Sequence, residues 1–162
     1  MKHKLPIFGF ALAVVVIAVD QISKWRLLDY FQHSTAKSPP SVAVTDFFNL
    51  VLVWNRGVSF GMFNNAAAMP IILVALALLL VAFVAHWLLR TETPLEAAAF
   101  GLIIGGAIGN VIDRLHHGAV VDFLDFHLAA QHWPAFNVAD SAIVIGAGLI
   151  LYLWGLHGKT GA

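Results

Sequence analysis

Apolar residues along this chain fall into four long runs, at residues 5–28, 66–89, 94–113 and 138–157, and polar residues gather between them. A bilayer core about 30 Å thick is crossed by about 20 helical residues, so each run predicts a membrane-spanning helix. The second run lacks Asp, Glu, Lys and Arg, and only Arg90 to Thr93 part it from the third, which predicts a tight antiparallel hairpin. Two stretches break the pattern. SVAVTDFFNLVLVWNRGVSFGMF, residues 41–63, is rich in β-branched and aromatic residues and turns at Asn55-Arg56-Gly57, predicting a small hairpin or sheet. Apolar on both strand faces around Phe47 to Trp54, that sheet is expected to rest on the membrane surface. Residues 114–136 join the last two runs, and FLDFHLAAQHW within them predicts a short amphipathic interfacial helix before Pro134. The fold class expected is a membrane all-α bundle of four transmembrane helices, with a small β-rich loop domain and an interfacial helix. Together they form one domain over residues 1–162.

Composition agrees with a membrane setting. The chain is 60% apolar and 11% charged, with a mean hydropathy of +0.83, whereas soluble domains are about half apolar and a quarter charged. Formal net charge is zero and no basic run points to nucleic acid. The absence of cysteine excludes a cysteine nucleophile, thiolate metal sites and disulfides. Lys2 and Lys4 precede an apolar run that could serve as a secretory signal, but it meets Asp20 without a small-residue cleavage pattern. An uncleaved first span is expected. Lys and Arg number four at the side of the termini and five at the other, so the positive-inside rule does not decide orientation.

Parity is firmer. With four antiparallel crossings, Asp20, Lys24, Asn110, Asp113, Arg114, Asn137 and Asp140 all lie at the same membrane boundary. Both long loops, carrying Asn55, Arg56 and Asp122, lie there too, while the opposite boundary offers little beyond Glu92 and Glu96. Ionisable groups in membranes are costly and mark function. Asp20 and Lys24 stand one helical turn apart, which suits an ion pair with a lysine snorkelling to the interface or a brace for a site. Asp113 next to Arg114 suggests a pairing that keeps the aspartate ionised. Asn137 and Asp140 have the spacing of a helix cap, and Asp122 is a lone carboxylate within apolar Val120-Val121 and Phe123. Spacing leaves open whether Asp122 and Asp140 are structural or reactive. Gly101, Gly105 and Gly109 recur every fourth residue, a helix-packing seam.

No histidine spacing matches a metal site and no serine sits in a nucleophile motif, so neither metal nor cofactor is expected. Two carboxylates at a low-dielectric boundary share a proton, letting one act as base on water while the other donates to a carbonyl. The rival readings are a proton- or ion-coupled transporter using these carboxylates and a non-catalytic helix-packing subunit.

Five blocks in order, Asp20-Gln21-Ile22-Ser23-Lys24, Asn55-Arg56-Gly57-Val58-Ser59-Phe60-Gly61, Gly105 through Arg114, Val120-Val121-Asp122-Phe123 and Phe136 through Ser141, resemble the bacterial lipoprotein signal peptidases, signal peptidase II. Only Ser23 departs, where that family usually has threonine. The resemblance implies a membrane aspartic endopeptidase that cleaves diacylglyceryl-modified prolipoproteins before the lipidated cysteine, with Asp122 and Asp140 catalytic. It implies that Asp20, Lys24, Asn55, Gly57, Asn110, Asp113, Arg114 and Asn137 line or support the site. It further implies an inner-membrane enzyme with a periplasmic active face, cytoplasmic termini and contacts with membrane lipids, inhibited by globomycin-like compounds. A monomer is expected.

Overall fold

The computed structural model describes residues 4–33, 41–57 and 69–157. The apolar runs form helices α1 (Lys4–Gln32), α2 (Met69–Leu88), α3 (Pro94–His117) and α4 (Val138–His157), each long and apolar enough to cross a membrane. Residues 66–68, where the second span was expected to begin, and residues 58–63 of the β-rich loop lie outside the described residues. The stretches between these runs form β1 (Ser41–Thr45), β2 (Phe48–Asn55), β3 (Val120–Leu128) and β4 (Gln131–His132).

Helix α3 is the hub. In its apolar window 67% of residues are buried, against 22%, 17% and 22% in α1, α2 and α4. Its glycines explain why. A Cβ on Gly101 would run into the Gly9 carbonyl of α1, and one on Gly105 would lie 2.7 Å from Val16 Cβ. Gly106 backs onto the Ala139 carbonyl of α4 in the same way. Backbones this close are what small residues permit in lipid, where dispersion replaces the hydrophobic drive. Large side chains on the other faces, among them Val14, Leu79, Phe83 and Val144, remain exposed for lipid. The Thr93 hydroxyl accepts the Glu96 N–H at 3.2 Å and Pro94 occupies the first turn, where its missing N–H is harmless. Gly118, in the left-handed region at φ 68, stops α3 with its N–H on the Arg114 carbonyl.

The strands form one antiparallel sheet in the order β1-β2-β3-β4. This corrects two expectations. The segment FLDFHLAAQHW is not an interfacial helix: most of it is β3 and β4. The β1–β2 hairpin turns at Asp46-Phe47, while Asn55-Arg56-Gly57 ends β2. A short apolar run has no period that separates strand from helix. Here partners decide, since β2 supplies a hydrogen-bonding edge from Asn49 opposite Asp125 to Asn55 opposite Val120. Rings add to the pairing, with Phe48 and Phe126 centroids 4.8 Å apart.

Two helices also run past their expected ends. Helix α1 continues to Gln32, and its Leu27 and Phe31 pack beneath the sheet against Phe123, with Val42, Leu50 and Leu124 around them. Helix α3 continues to His117, so Arg114 lies inside a helix rather than in a loop. These extensions hold the sheet over the polar end of the bundle.

Candidate active site

Asp140 is the third residue of α4 and Asp122 the third of β3. Asn137 caps α4: its Oδ1 accepts the Asp140 N–H at 2.9 Å, and Asp140 Oδ2 accepts the Asn137 N–H at 3.2 Å. That reciprocal cap satisfies two of the orphan amides at a helix start. The expected capping role is therefore real, yet it uses only part of the Asp140 carboxylate. Its Oδ1 accepts Asn110 Nδ2 at 2.7 Å. Asn137 Nδ2 in turn donates to Asp122 Oδ1 at 2.7 Å and to Asn110 Oδ1 at 3.2 Å. Asp122 and Asp140 are thus joined through two hydrogen-bonded amides from α3 and the cap of α4.

The second oxygen of Asp122 accepts Asn55 Nδ2 at 2.9 Å. Asn55 is aimed by Gly57, whose N–H donates to Asn55 Oδ1 at 2.8 Å. Gly57 needs φ 81 to do this, a conformation disfavoured for side chains with a Cβ, and a Cβ there would strike Leu73. Asp122 is 1% exposed. Burial pushes its carboxyl up to about 6; the Asn55 bond opposes this, the Asp140 carboxylate adds to it, and Asn137 and Lys24 oppose it. Beside it opens a cavity of about 530 Å³ lined by Trp54, Asn55, Arg56, Gly57, Asp122 and Pro134, among others. A carboxyl that exchanges its proton near neutral pH, at the wall of an open cavity, has the properties of a general acid or base.

Beneath the pair lies an ionic cluster. Lys24 Nζ stands 2.8 Å from Asp20 Oδ2 and 2.8 Å from Asp113 Oδ2. It turns inward and is 2% exposed, so it does not snorkel. Asp113 takes Lys24 as its partner where the sequence suggested Arg114, because the neighbour in sequence points elsewhere around α3. Arg114 Nη1 instead donates to the Asn110 carbonyl at 3.3 Å. Arg114 Nε is buried and has no hydrogen-bond partner among the described residues. Asp20, Lys24, Asn55, Gly57, Asn110, Asp113, Arg114, Asp122, Asn137 and Asp140 therefore meet at this end of the bundle. Gln21, quoted in a motif but given no role, belongs with them: its Nε2 donates to Asp20 Oδ2 at 3.1 Å and Asp113 Oδ1 at 2.9 Å. Gly109 belongs too, since a Cβ there would lie 2.7 Å from Asp20 Oδ2. Its place in the glycine seam was the available signal.

Among the described residues no three His, Asp or Glu side chains form a metal-ligating cluster. Ser23 donates its hydroxyl to the Asp20 carbonyl of its own helix at 2.8 Å. A second buried carboxylate, Asp125, lies further along β3 and accepts Asn49 Nδ2 at 2.8 Å and the His132 ring at 2.9 Å. Nothing in the sequence had marked it.

A family model described as Signal peptidase (SPase) II matches residues 12–155. The lipoprotein signal peptidase of Paraburkholderia phymatum is 46% identical over 142 residues, covering 86% of this chain and 82% of that protein. That of Rhodopseudomonas palustris is 43% identical over 149 residues and covers 89% of each. Among solved structures, a bacterial membrane enzyme determined by the in meso method at 2.3 Å is similar with a TM-score of 0.78 at 26% identity, covering 95% of this chain and 91% of the other. A second, at 1.9 Å, gives 0.76 at 28% identity over 90% and 91%. A transporter finds no support among these relatives.

Proposed function

This chain belongs to the signal peptidase II family, and from that premise we propose that Asp122 and Asp140 are its catalytic pair. It is a multi-pass membrane peptidase of the aspartic type that removes signal peptides from prolipoproteins. The observation that carries the assignment is the linkage of Asp140, through Asn110 and Asn137, to Asp122 at the wall of an open cavity.

The chemistry follows from sharing one proton. One carboxylate, ionised, takes a proton from water as that water attacks the scissile carbonyl. The other, protonated, gives its proton to the carbonyl oxygen as the tetrahedral adduct forms. The proton taken from water then passes to the leaving nitrogen as the C–N bond breaks, and the adduct's hydroxyl returns its proton to the second carboxylate. Asn55, Asn110 and Asn137 keep the carboxyl oxygens aimed and leave protonation free to change, since an amide donor favours the charged form without adding charge. The Nε of Arg114, without a partner among the described residues, is a donor for the substrate backbone or its lipid.

The substrate is a diacylglyceryl-modified precursor, cut just before the lipidated cysteine. Its acyl chains and signal helix keep the cleavage point near the headgroups, and the site lies at the boundary of four spans, at matching depth. The active face points to the periplasm of an inner-membrane enzyme, both termini are cytoplasmic, and the sheet lies on the membrane surface. One chain suffices for activity, and globomycin-like inhibitors occupy the same cavity.

The test is cleavage of a purified lipid-modified precursor, with the unlipidated precursor alongside. Asp122→Asn and Asp140→Asn proteins should fold and insert yet fail to cleave. Cleavage at the parental rate by either variant overturns the pair. Chelators should leave the rate unchanged; a loss restored by one metal ion overturns the metal-free mechanism.

A further inference from the structure

The two acidic residues of the buried cluster share an arrangement that local sequence does not require. Asp20 spends one oxygen on Lys24 and the other on the Ala139 N–H, at 2.9 Å. Asp113 Oδ2 accepts both Lys24, at 2.8 Å, and the Val121 N–H, at 2.9 Å. Ala139 immediately precedes Asp140, and Val121 immediately precedes Asp122. Each supporting aspartate thus grips the backbone N–H of the residue just before one member of the catalytic pair. Lys24 is the cation they hold in common.

We infer that Lys24 is a positioning residue: by drawing Asp20 and Asp113 together it sets the spacing between the first turn of α4 and the start of β3, and so between Asp140 and Asp122. This rests on the catalytic assignment above only for its consequence in activity. The grip on the two backbone segments stands on geometry alone.

The chemistry of the ammonium fits the task. It has three donors, and three acceptors meet it: Asp20 Oδ2, Asp113 Oδ2 and, at 3.4 Å, Asn110 Oδ1. That third contact reaches the amide that holds Asp140. Two carboxylates this close and almost wholly buried repel without a cation between them. One must then protonate or both must part, and either change weakens a charge-assisted bond to a backbone N–H. Gln21 also spans both carboxylates but is neutral, so it ties them without offsetting their repulsion.

Three variants separate positioning from plain stability. In Lys24→Met, hydrogen exchange at the Val121 and Ala139 amides should speed up together. In Asp113→Asn only Val121 should respond strongly, and in Asp20→Asn only Ala139, because each leaves a neutral acceptor and a balanced ion pair on the other side. On lipidated precursor, folded Lys24→Met should lose kcat by about 100-fold with KM changed by less than about threefold, as expected when reacting groups are displaced by about an ångström. Should Lys24→Met leave both amides protected, or should all three variants loosen both amides alike, the inference fails. If Lys24→Met does not fold, the two Asn variants decide it by their opposite amide patterns. If the wild-type protein does not cleave while the amides respond as described, the catalytic assignment falls and the grip by Lys24 stands.

Discussion

Strand β3 carries two buried carboxylates three residues apart, and they titrate in opposite directions. Asp122 is raised to about 6, whereas Asp125 is held below its ordinary value. Both have little surface open to water, at 1% and 7% exposure, but Asp122 lies deeper in the protein and desolvation weighs more on it. Their partners widen the gap. Asp122 faces two neutral amides and a like-charged neighbour, Asp140, and the Lys24 ammonium weighs least on it. Burial works to raise Asp125 as well, but Asn49 and an ionisable ring, His132, outweigh it. A carboxylate beside a potential cation becomes a structural brace, while one among amides and another carboxylate becomes a proton carrier.

The largest effect that sharpens this contrast is on cleavage. Asp122→Asn should lower the rate on lipidated precursor by about a thousandfold, in the range lost with an acid–base group. Asp125→Asn should leave the rate within about threefold, since that carboxylate only joins β2 to β4. Comparable losses at both positions would erase the distinction.

The amide partners come next. Asn55→Ala removes a donor that favours the charged form of Asp122, so its titration should move above 6. The corresponding inflection in the pH dependence of kcat/KM should shift towards alkaline pH, with activity lower by about tenfold. Asn49→Ala, the matching change at Asp125, should leave that inflection in place.

Stability against pH gives a smaller signal with opposite signs. Asp122 binds its proton more tightly folded than unfolded, about 6 against 3.8, so its contribution is complete below 3.8 and is lost as pH rises through 6. Asp125, lowered on folding, contributes above 3.8 and loses that contribution as pH falls through its folded value. Thermal unfolding in detergent should show Asp122→Asn removing a decline between pH 4 and 7, and Asp125→Asn removing a gain that lies below about pH 4. His132→Gln should have the least effect. Its ring is half exposed, so a midpoint change of about 1–2 °C and unchanged cleavage are expected, as for a solvated ion pair.

The apolar runs and the parity of their crossings already determined that four helices span the membrane and that the polar residues meet at one end. Hydropathy is a sum over consecutive residues, so a chain displays it without folding. The cap of Asp140 by Asn137 was equally local and equally legible, because a capping box spans four residues. Only the tertiary structure decided that Lys24 turns inward to take Asp113 rather than reach the interface, or that FLDFHLAAQHW forms strands. It alone revealed Gln21 and Asp125 as members of buried networks. Those outcomes depend on partners such as Asp113 for Gln21, 92 residues away, and Asn49 for Asp125, 76 residues away. A buried charge takes whichever partner packing brings within reach, and no period along the chain records that choice.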